Sequence, residues 1–159
     1  MKAATVVQIK KELQHRNPTE LLELCLRLSK FKKENKELLT YLLFEAHDES
    51  GYLETVKAEL DEQFSLINTN SYFYIKKSVR KILRTLKKYA RYSGKKETEV
   101  ELLIYFCQKL KDFTPSIARN TTLVNLYERQ LIYLDKKIAA LHEDLQYDYG
   151  QLLNDLRRG

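Results

Sequence analysis

The sequence predicts an all-α protein, on three observations. The 159 residues include only 4 Gly and 2 Pro, which leaves few positions for tight hairpin turns. Hydrophobic residues make up 43% of the chain and charged residues 31%, as in globular proteins. Apolar residues recur at spacings of three and four along most of the chain, which is the period of an amphipathic helix.

We expect one domain over residues 1–159, built as an irregular αα-superhelix (a HEAT-like array) of about six to seven antiparallel helices. A compact helical bundle is the alternative architecture. The predicted helices cover about residues 5–15, 18–31, 36–46, 53–67, 72–93, 97–113 and 121–157.

Start and stop signals justify the first four helices in turn. Asn17 and Pro18 are a cap and a first helical residue, so they open the second helix. A turn at residues 32–35 separates it from the third helix. Gly51 lies in a polar interruption that precedes the fourth helix.

Start and stop signals also define the ends of the last three predicted helices. A polar segment at residues 68–70 precedes the fifth helix, and Gly94 ends it because glycine suits a left-handed closing residue. Pro115 limits the sixth helix. The seventh carries a heptad pattern from Tyr127 to Leu145, which predicts one long C-terminal helix over residues 121–157, with Gly150 as a possible break.

Residues 72–93 predict a basic amphipathic helix with no acidic residue. With Ile75 at 0° and an advance of about 100° per residue, the apolar side chains and the cations occupy separate arcs. The segment 68–96 has ten Lys and Arg and no acid, so the net charge of +6 arises there. The eight cations of the helix are Lys76, Lys77, Arg80, Lys81, Arg84, Lys87, Lys88 and Arg91.

A cationic helix face of this kind favours binding to an anionic partner. We expect a non-enzymatic interaction or scaffold module that meets an acidic protein surface, with self-association through the C-terminal helix as a further contact. The alternative is a nucleic-acid-binding protein of low sequence specificity, in which Tyr72, Tyr74 and Tyr92 stack on bases. Membrane attachment is disfavoured, because the apolar face suits a protein core.

An intramolecular interpretation competes with both functions. Acidic residues at positions 45–62 and 97–101 flank the basic helix in sequence and could neutralise the edges of its cationic face. This interpretation predicts ion pairs for Lys76 and Lys81, and leaves Arg80, Arg84 and Lys77 exposed.

No pattern in the sequence predicts catalysis, a cofactor, a metal or a small-molecule substrate. His15, His47 and His142 are far apart and have no metal-ligand spacing, and no glycine-rich phosphate loop is present. Cys25 and Cys107 lie in apolar helical runs and are expected to be core thiols.

Two segments resemble an uncharacterised family of small all-helical bacterial proteins: KELLTYLLFEA at residues 36–46 and LQYDY at residues 145–149. The resemblance implies a bacterial, cytoplasmic protein and carries no activity to transfer. A cytoplasmic location also agrees with the lack of a signal peptide and of a long apolar run.

Overall fold

The computed structural model describes residues 1–158, which form α-helices and no strand. The helices are α1 (Val6–Gln14), α2 (Pro18–Phe31), α3 (Lys33–Thr40), α4 (Glu49–Ser65), α5 (Tyr72–Ser93), α6 (Lys96–Lys111), α7 (Thr121–Ala139) and α8 (Glu143–Arg157). A π-helical turn covers Tyr41–Glu45, and a 3-10 helix covers Ile117–Arg119. The all-α prediction is confirmed.

The chain divides into two compact units, where the sequence predicts a single domain over residues 1–159. Unit 1 comprises Met1–Phe44, and unit 2 begins at Glu45. The boundary falls inside the π-helical turn. Residues 41–48 contain neither Gly nor Pro, so composition does not mark this boundary as a linker.

Two capping boxes open the first two helices of unit 1. The Thr5 side chain accepts from the backbone of Gln8 at the start of α1, and Asn17 accepts from the backbone of Glu20 at the start of α2. The predicted start at Asn17 and Pro18 is therefore confirmed. The predicted turn at residues 32–35 is shorter than expected, because Lys32 alone separates α2 from α3.

Helices α1, α2 and α3 contain no buried residue. Cys25 of α2 is exposed, so its prediction as a core thiol is wrong. Apolar periodicity identifies the side of a helix that favours burial, but it does not show whether a neighbouring helix covers that side. In unit 1 much of the apolar surface stays open.

Helix α6 is the central helix of unit 2 and packs against α4, α5, α7 and α8. Its predicted core residues Val100, Leu103, Ile104, Cys107 and Leu110 are all buried. Neighbours on several sides also bury Leu102 and Phe106, as expected for a helix that is apolar around most of its circumference. The packing is consistent with a bundle or a superhelix, and the HEAT-like array stays a prediction.

The predicted long C-terminal helix over residues 121–157 is wrong, because α7 ends at Ala139 and α8 begins at Glu143. The turn between them is stabilised by Gln146, whose side-chain amide donates to the carbonyls of Leu141 (2.7 Å) and Ala139 (3.2 Å). Leu141 is buried within the turn, so this apolar position joins the core although the helix is interrupted there.

A start signal for α8 is visible in the sequence. His142 caps the helix by accepting from the backbone of Asp144, and acidic residues at positions 143 and 144 suit the positive end of the helix dipole. Gly150 lies inside α8 and does not interrupt it. Within residues 1–158, no helix combines the length and the apolar character that crossing a membrane requires.

Candidate functional site

Helix α5 follows its predicted bounds and presents its apolar arc to the core of unit 2. It begins at Tyr72 and ends at Ser93, and Gly94 closes it in the left-handed region with φ 69°. Tyr89 lies at the edge of this apolar arc and is half-buried. The buried residues are Ile75, Val79, Ile82, Leu83, Leu86 and Ala90.

The cationic face of α5, defined by the eight predicted cations, is open to solvent. Six of them are exposed, and Lys76 and Lys88 are half-buried. Lys88 interacts with other groups of the chain, and its amine lies 5.6 Å from the centre of the Tyr89 ring. The amine of Lys87 lies 5.7 Å from the centre of the Tyr133 ring. The structure brings all eight together on one helix face about 22 Å long.

Most of these cations have no carboxylate partner in the part of the chain that the structure describes. The residues without an ion pair within 4.0 Å are Lys76, Lys77, Arg80, Lys81, Arg84, Lys87 and Arg91. The predicted pairing of Lys76 and Lys81 with acids of the neighbouring helices is therefore wrong.

Several acids of the neighbouring helices bind other donors. On the α4 side, Glu59 accepts from the hydroxyl of Tyr89 (2.9 Å) and Asp61 accepts from the hydroxyl of Tyr105 (2.5 Å). Glu49 accepts from Thr98 (3.1 Å), beside the amine of Lys95 at 3.4 Å. Each of these three acids therefore binds a donor that is not one of the eight cations.

The acids at the start of α6 also bind other donors. Glu99 accepts from the hydroxyl of Tyr133 (3.0 Å) and pairs with Lys137 (3.3 Å). Glu101 pairs with Lys57 at 3.0 Å. Both of these lysines lie outside α5, Lys57 on α4 and Lys137 on α7.

The pKa values of one tyrosine and one carboxylate reflect this pairing. Burial, followed by the hydrogen bond to Asp61, raises the pKa of Tyr105 to about 12. Burial acts to raise the pKa of Asp61 as well, but the hydrogen bonds from Tyr105 and Lys109 outweigh it and lower that pKa below its usual value. The pair is a neutral hydroxyl and an ionised carboxylate at neutral pH.

Aromatic side chains lie at the start of α5. Tyr74 is exposed and packs edge-on against Phe73, with the ring centroids 5.4 Å apart. Phe73 is 66% exposed and lies at about 160° on the helix, in the middle of the cationic arc. Sequence reasoning missed Phe73, although its angular position could have been calculated from the spacing.

The other two tyrosines predicted to stack on bases are engaged within the chain. The hydroxyl of Tyr72 donates to the carbonyl of Ser116 (2.7 Å). The ring of Tyr92 packs against that of Tyr89, with the centroids 6.0 Å apart. Only Tyr74 of the three predicted residues offers an open ring.

The remaining sequence candidates do not form a site. Cys107 is buried, and burial raises the pKa of its thiol to about 12. Residues 1–158 contain no group of three His, Cys, Asp or Glu side chains placed to hold a metal ion. Comparison of the chain with protein-family models, with curated proteins and with solved structures finds no match.

Proposed function

We propose that the chain is a non-enzymatic interaction module that binds an acidic protein partner through the cationic face of α5. The observation that carries this proposal is the set of seven α5 cations without an ion pair, while Glu59, Asp61, Glu99 and Glu101 of the neighbouring helices bind other donors. A face of one charge sign attracts a partner of the opposite sign and speeds its association.

The energetics of α5 also favour an anionic partner. Nine pairs of cations are three or four residues apart, and their unscreened repulsion amounts to roughly 2–4 kcal/mol. Burial of the apolar arc exceeds this cost, so the helix folds without a partner. A partner's carboxylates would relieve the repulsion, and carboxylates four residues apart on a partner helix would repeat at about 6 Å, the spacing of the α5 cations.

Binding to single-stranded nucleic acid is the second candidate, and the pair Phe73 and Tyr74 favours it. Exposed aromatic rings beside a cationic row are the combination on which successive bases stack while phosphates meet cations. Such binding would be insensitive to base sequence, because the face carries no pattern that distinguishes base edges.

The test is a fluorescence-anisotropy titration of three labelled probes: a poly-glutamate peptide, single-stranded DNA and duplex DNA. The variant Arg80→Glu/Arg84→Glu reverses two exposed charges at the centre of the face. The matched control Arg119→Glu/Lys136→Glu changes the net charge equally at exposed positions outside α5. We expect peptide binding that the first variant abolishes and the control retains.

The outcomes separate the two candidates. Nucleic-acid binding predicts a salt slope of roughly −4 to −7 for about five to eight neutralised phosphates, and loss of binding in Phe73→Ala/Tyr74→Ala. Acidic-protein binding predicts that this aromatic variant still binds the peptide. If no probe binds at low salt, or if both charge variants lose binding equally, the cationic face of α5 is not the binding surface.

A further inference from the structure

A groove of about 550 Å³ lies along one side of α7 in unit 2. It is bounded by the end of α6, the 3-10 helix, α7 and the last turn of α8. Cavities of roughly 300–1,000 Å³ are typical of small-molecule sites. On α7 the groove extends from Val124 to Ile132, which is about 12 Å along the helix axis. Its size therefore suits a small molecule.

The position of the groove reflects where α8 ends. The hydroxyl of Tyr127 donates to the carbonyl of Leu156, and Arg157 pairs with Asp135, so the end of α8 lies beside the middle of α7. The first turn of α7 therefore extends past the end of α8, which leaves this side of α7 open.

The floor of the groove is apolar. Ile117, Leu131 and Leu156 line it and are 8%, 6% and 3% exposed. The ring of Tyr127 also lines it, and its hydroxyl is already bonded to a backbone carbonyl at 2.7 Å. Ile132 adds an exposed apolar side chain at the rim. A ligand with an apolar body would remove this surface from water.

Lys111 contributes a cation to the lining of the groove, and contacts with α8 fix its position. Its amine donates to the carbonyls of Asp155 (2.9 Å) and Arg158 (2.6 Å), where a positive charge suits the negative end of the helix dipole. An ammonium group has three N–H donors, so one stays free for a ligand. No carboxylate of residues 1–158 lies within 4.0 Å of this amine.

The other polar groups of the lining leave positive charge in excess. Lys111 and Arg157 against Glu128 give the lining a net charge of +1, and Arg157 is already paired with a carboxylate of α7. Glu128 is exposed and forms no ion pair with Lys111. The hydroxyl oxygen of Ser116 accepts from the backbone of Ala118 (3.2 Å), so its O–H can donate to a ligand.

We propose that this groove binds an aliphatic carboxylate, with its chain on the apolar floor and its carboxylate on the amine of Lys111. One free N–H and an excess of one positive charge suit a singly charged headgroup, and the hydrogen bond would be charge-assisted. A chain that fills the 12 Å between Val124 and Ile132 has roughly ten carbons. Because α8 already fixes Lys111, this donor does not have to be ordered on binding.

The experiment is isothermal titration calorimetry of the full chain with decanoate, and with decanol as the uncharged probe of equal chain length. We expect one decanoate per chain and an affinity for decanoate about tenfold or more above that for decanol, because only the carboxylate forms the bond to Lys111. Hexanoate should bind about tenfold or more weakly than decanoate, because it covers less of the floor.

Three variants locate the site. Lys111→Met removes the charge but keeps an apolar stem, so it should lower decanoate affinity to the decanol level and leave decanol binding unchanged. Lys136→Met is the matched control, because Lys136 is an exposed lysine of α7 outside the lining. Ala118→Trp fills the groove from an exposed position and should abolish binding of both probes.

Decanol binding by Lys111→Met shows that its groove is intact, although this variant also loses a contact at the end of α8. Arg80→Glu/Arg84→Glu should retain decanoate binding, because the cationic face of α5 is a separate surface. The proposal is overturned by equal affinities for decanoate and decanol, by several decanoate molecules per chain, or by binding that Ala118→Trp retains. A wild-type chain that binds no decanoate would overturn it as well.

Discussion

At the scale of single residues, tyrosine hydroxyls organise the charges of unit 2. Seven of them donate to a carboxylate of another helix or to a backbone carbonyl, as in the bond from Tyr127 to the carbonyl of Leu156 (2.7 Å). The hydroxyl of Tyr149 likewise donates to Glu97 (3.1 Å). The sequence predicts that most tyrosines lie at core edges, but it does not identify the partners, which are 29 and 52 residues away in these two cases.

Two half-buried tyrosines predict how stability depends on alkaline pH. Burial is the main cause that raises the pKa of Tyr105 and of Tyr127 to about 12, above the usual value of 10. A folded-state pKa above the unfolded one means that their contribution to stability is complete below pH 10 and is lost as pH rises from 10 to 12. We expect the urea midpoint to fall across this interval.

The measurement is a set of urea titrations between pH 9 and pH 12, with phenolate absorbance recorded in the folded and unfolded chain. Tyr105→Phe is the control, because it removes one of the late-titrating hydroxyls and should make the fall in midpoint shallower. Identical phenolate titrations of the folded and unfolded chain would contradict the prediction.

At the scale of helices, local signals predict the ends of elements that have strong caps. Asn17, Pro18 and Gly94 act as expected, and the bounds of α5 agree with the sequence. The break between α7 and α8 has a weaker signal, since Ala139 and Ala140 favour continued helix. A contact distant in sequence holds the other end of α8, where the amine of Lys111 donates to the carbonyls of Asp155 (2.9 Å) and Arg158 (2.6 Å).

Two glycines in different helical contexts should respond oppositely to alanine. Gly94→Ala should lower the free energy of unfolding by about 1 kcal/mol, because its φ of 69° is unfavourable for a residue with a side chain. Gly150→Ala should raise it by roughly 0.5–1 kcal/mol, because Gly150 is inside α8 and an added Cβ meets nothing within 4 Å.

Chemical denaturation of the two glycine variants, compared with wild type, measures both effects. Each variant serves as the control for the other, since the substitution is the same. Destabilisation by Gly150→Ala would contradict the helical interior position of this residue.

At the scale of the whole molecule, charge is distributed unevenly and stays largely unneutralised on α5. The net charge of +6 is concentrated in residues 68–96, and the structure gives most of its cations no carboxylate partner. Salt should therefore stabilise the chain at low ionic strength, because it screens repulsion among cations that are less than a Debye length apart.

Thermal melts in 10 mM and 100 mM NaCl measure this effect. We expect the free energy of unfolding to increase by about 1 kcal/mol with the higher salt concentration. The dependence should be weaker in Arg80→Glu/Arg84→Glu and unchanged in Arg119→Glu/Lys136→Glu. A decrease in wild-type stability with salt would mean that attractive ion pairs dominate.

By itself, the sequence determined the helical class, the bounds and the buried arc of α5, and the eight cations of its other face. These properties depend on spacing along one helix, on caps and on composition, all of which are local. The tertiary structure decided which groups pair. Asp61 is bonded to Tyr105 and not to Lys81, and Cys25 is exposed although Cys107 is buried, because each outcome depends on which helices become neighbours.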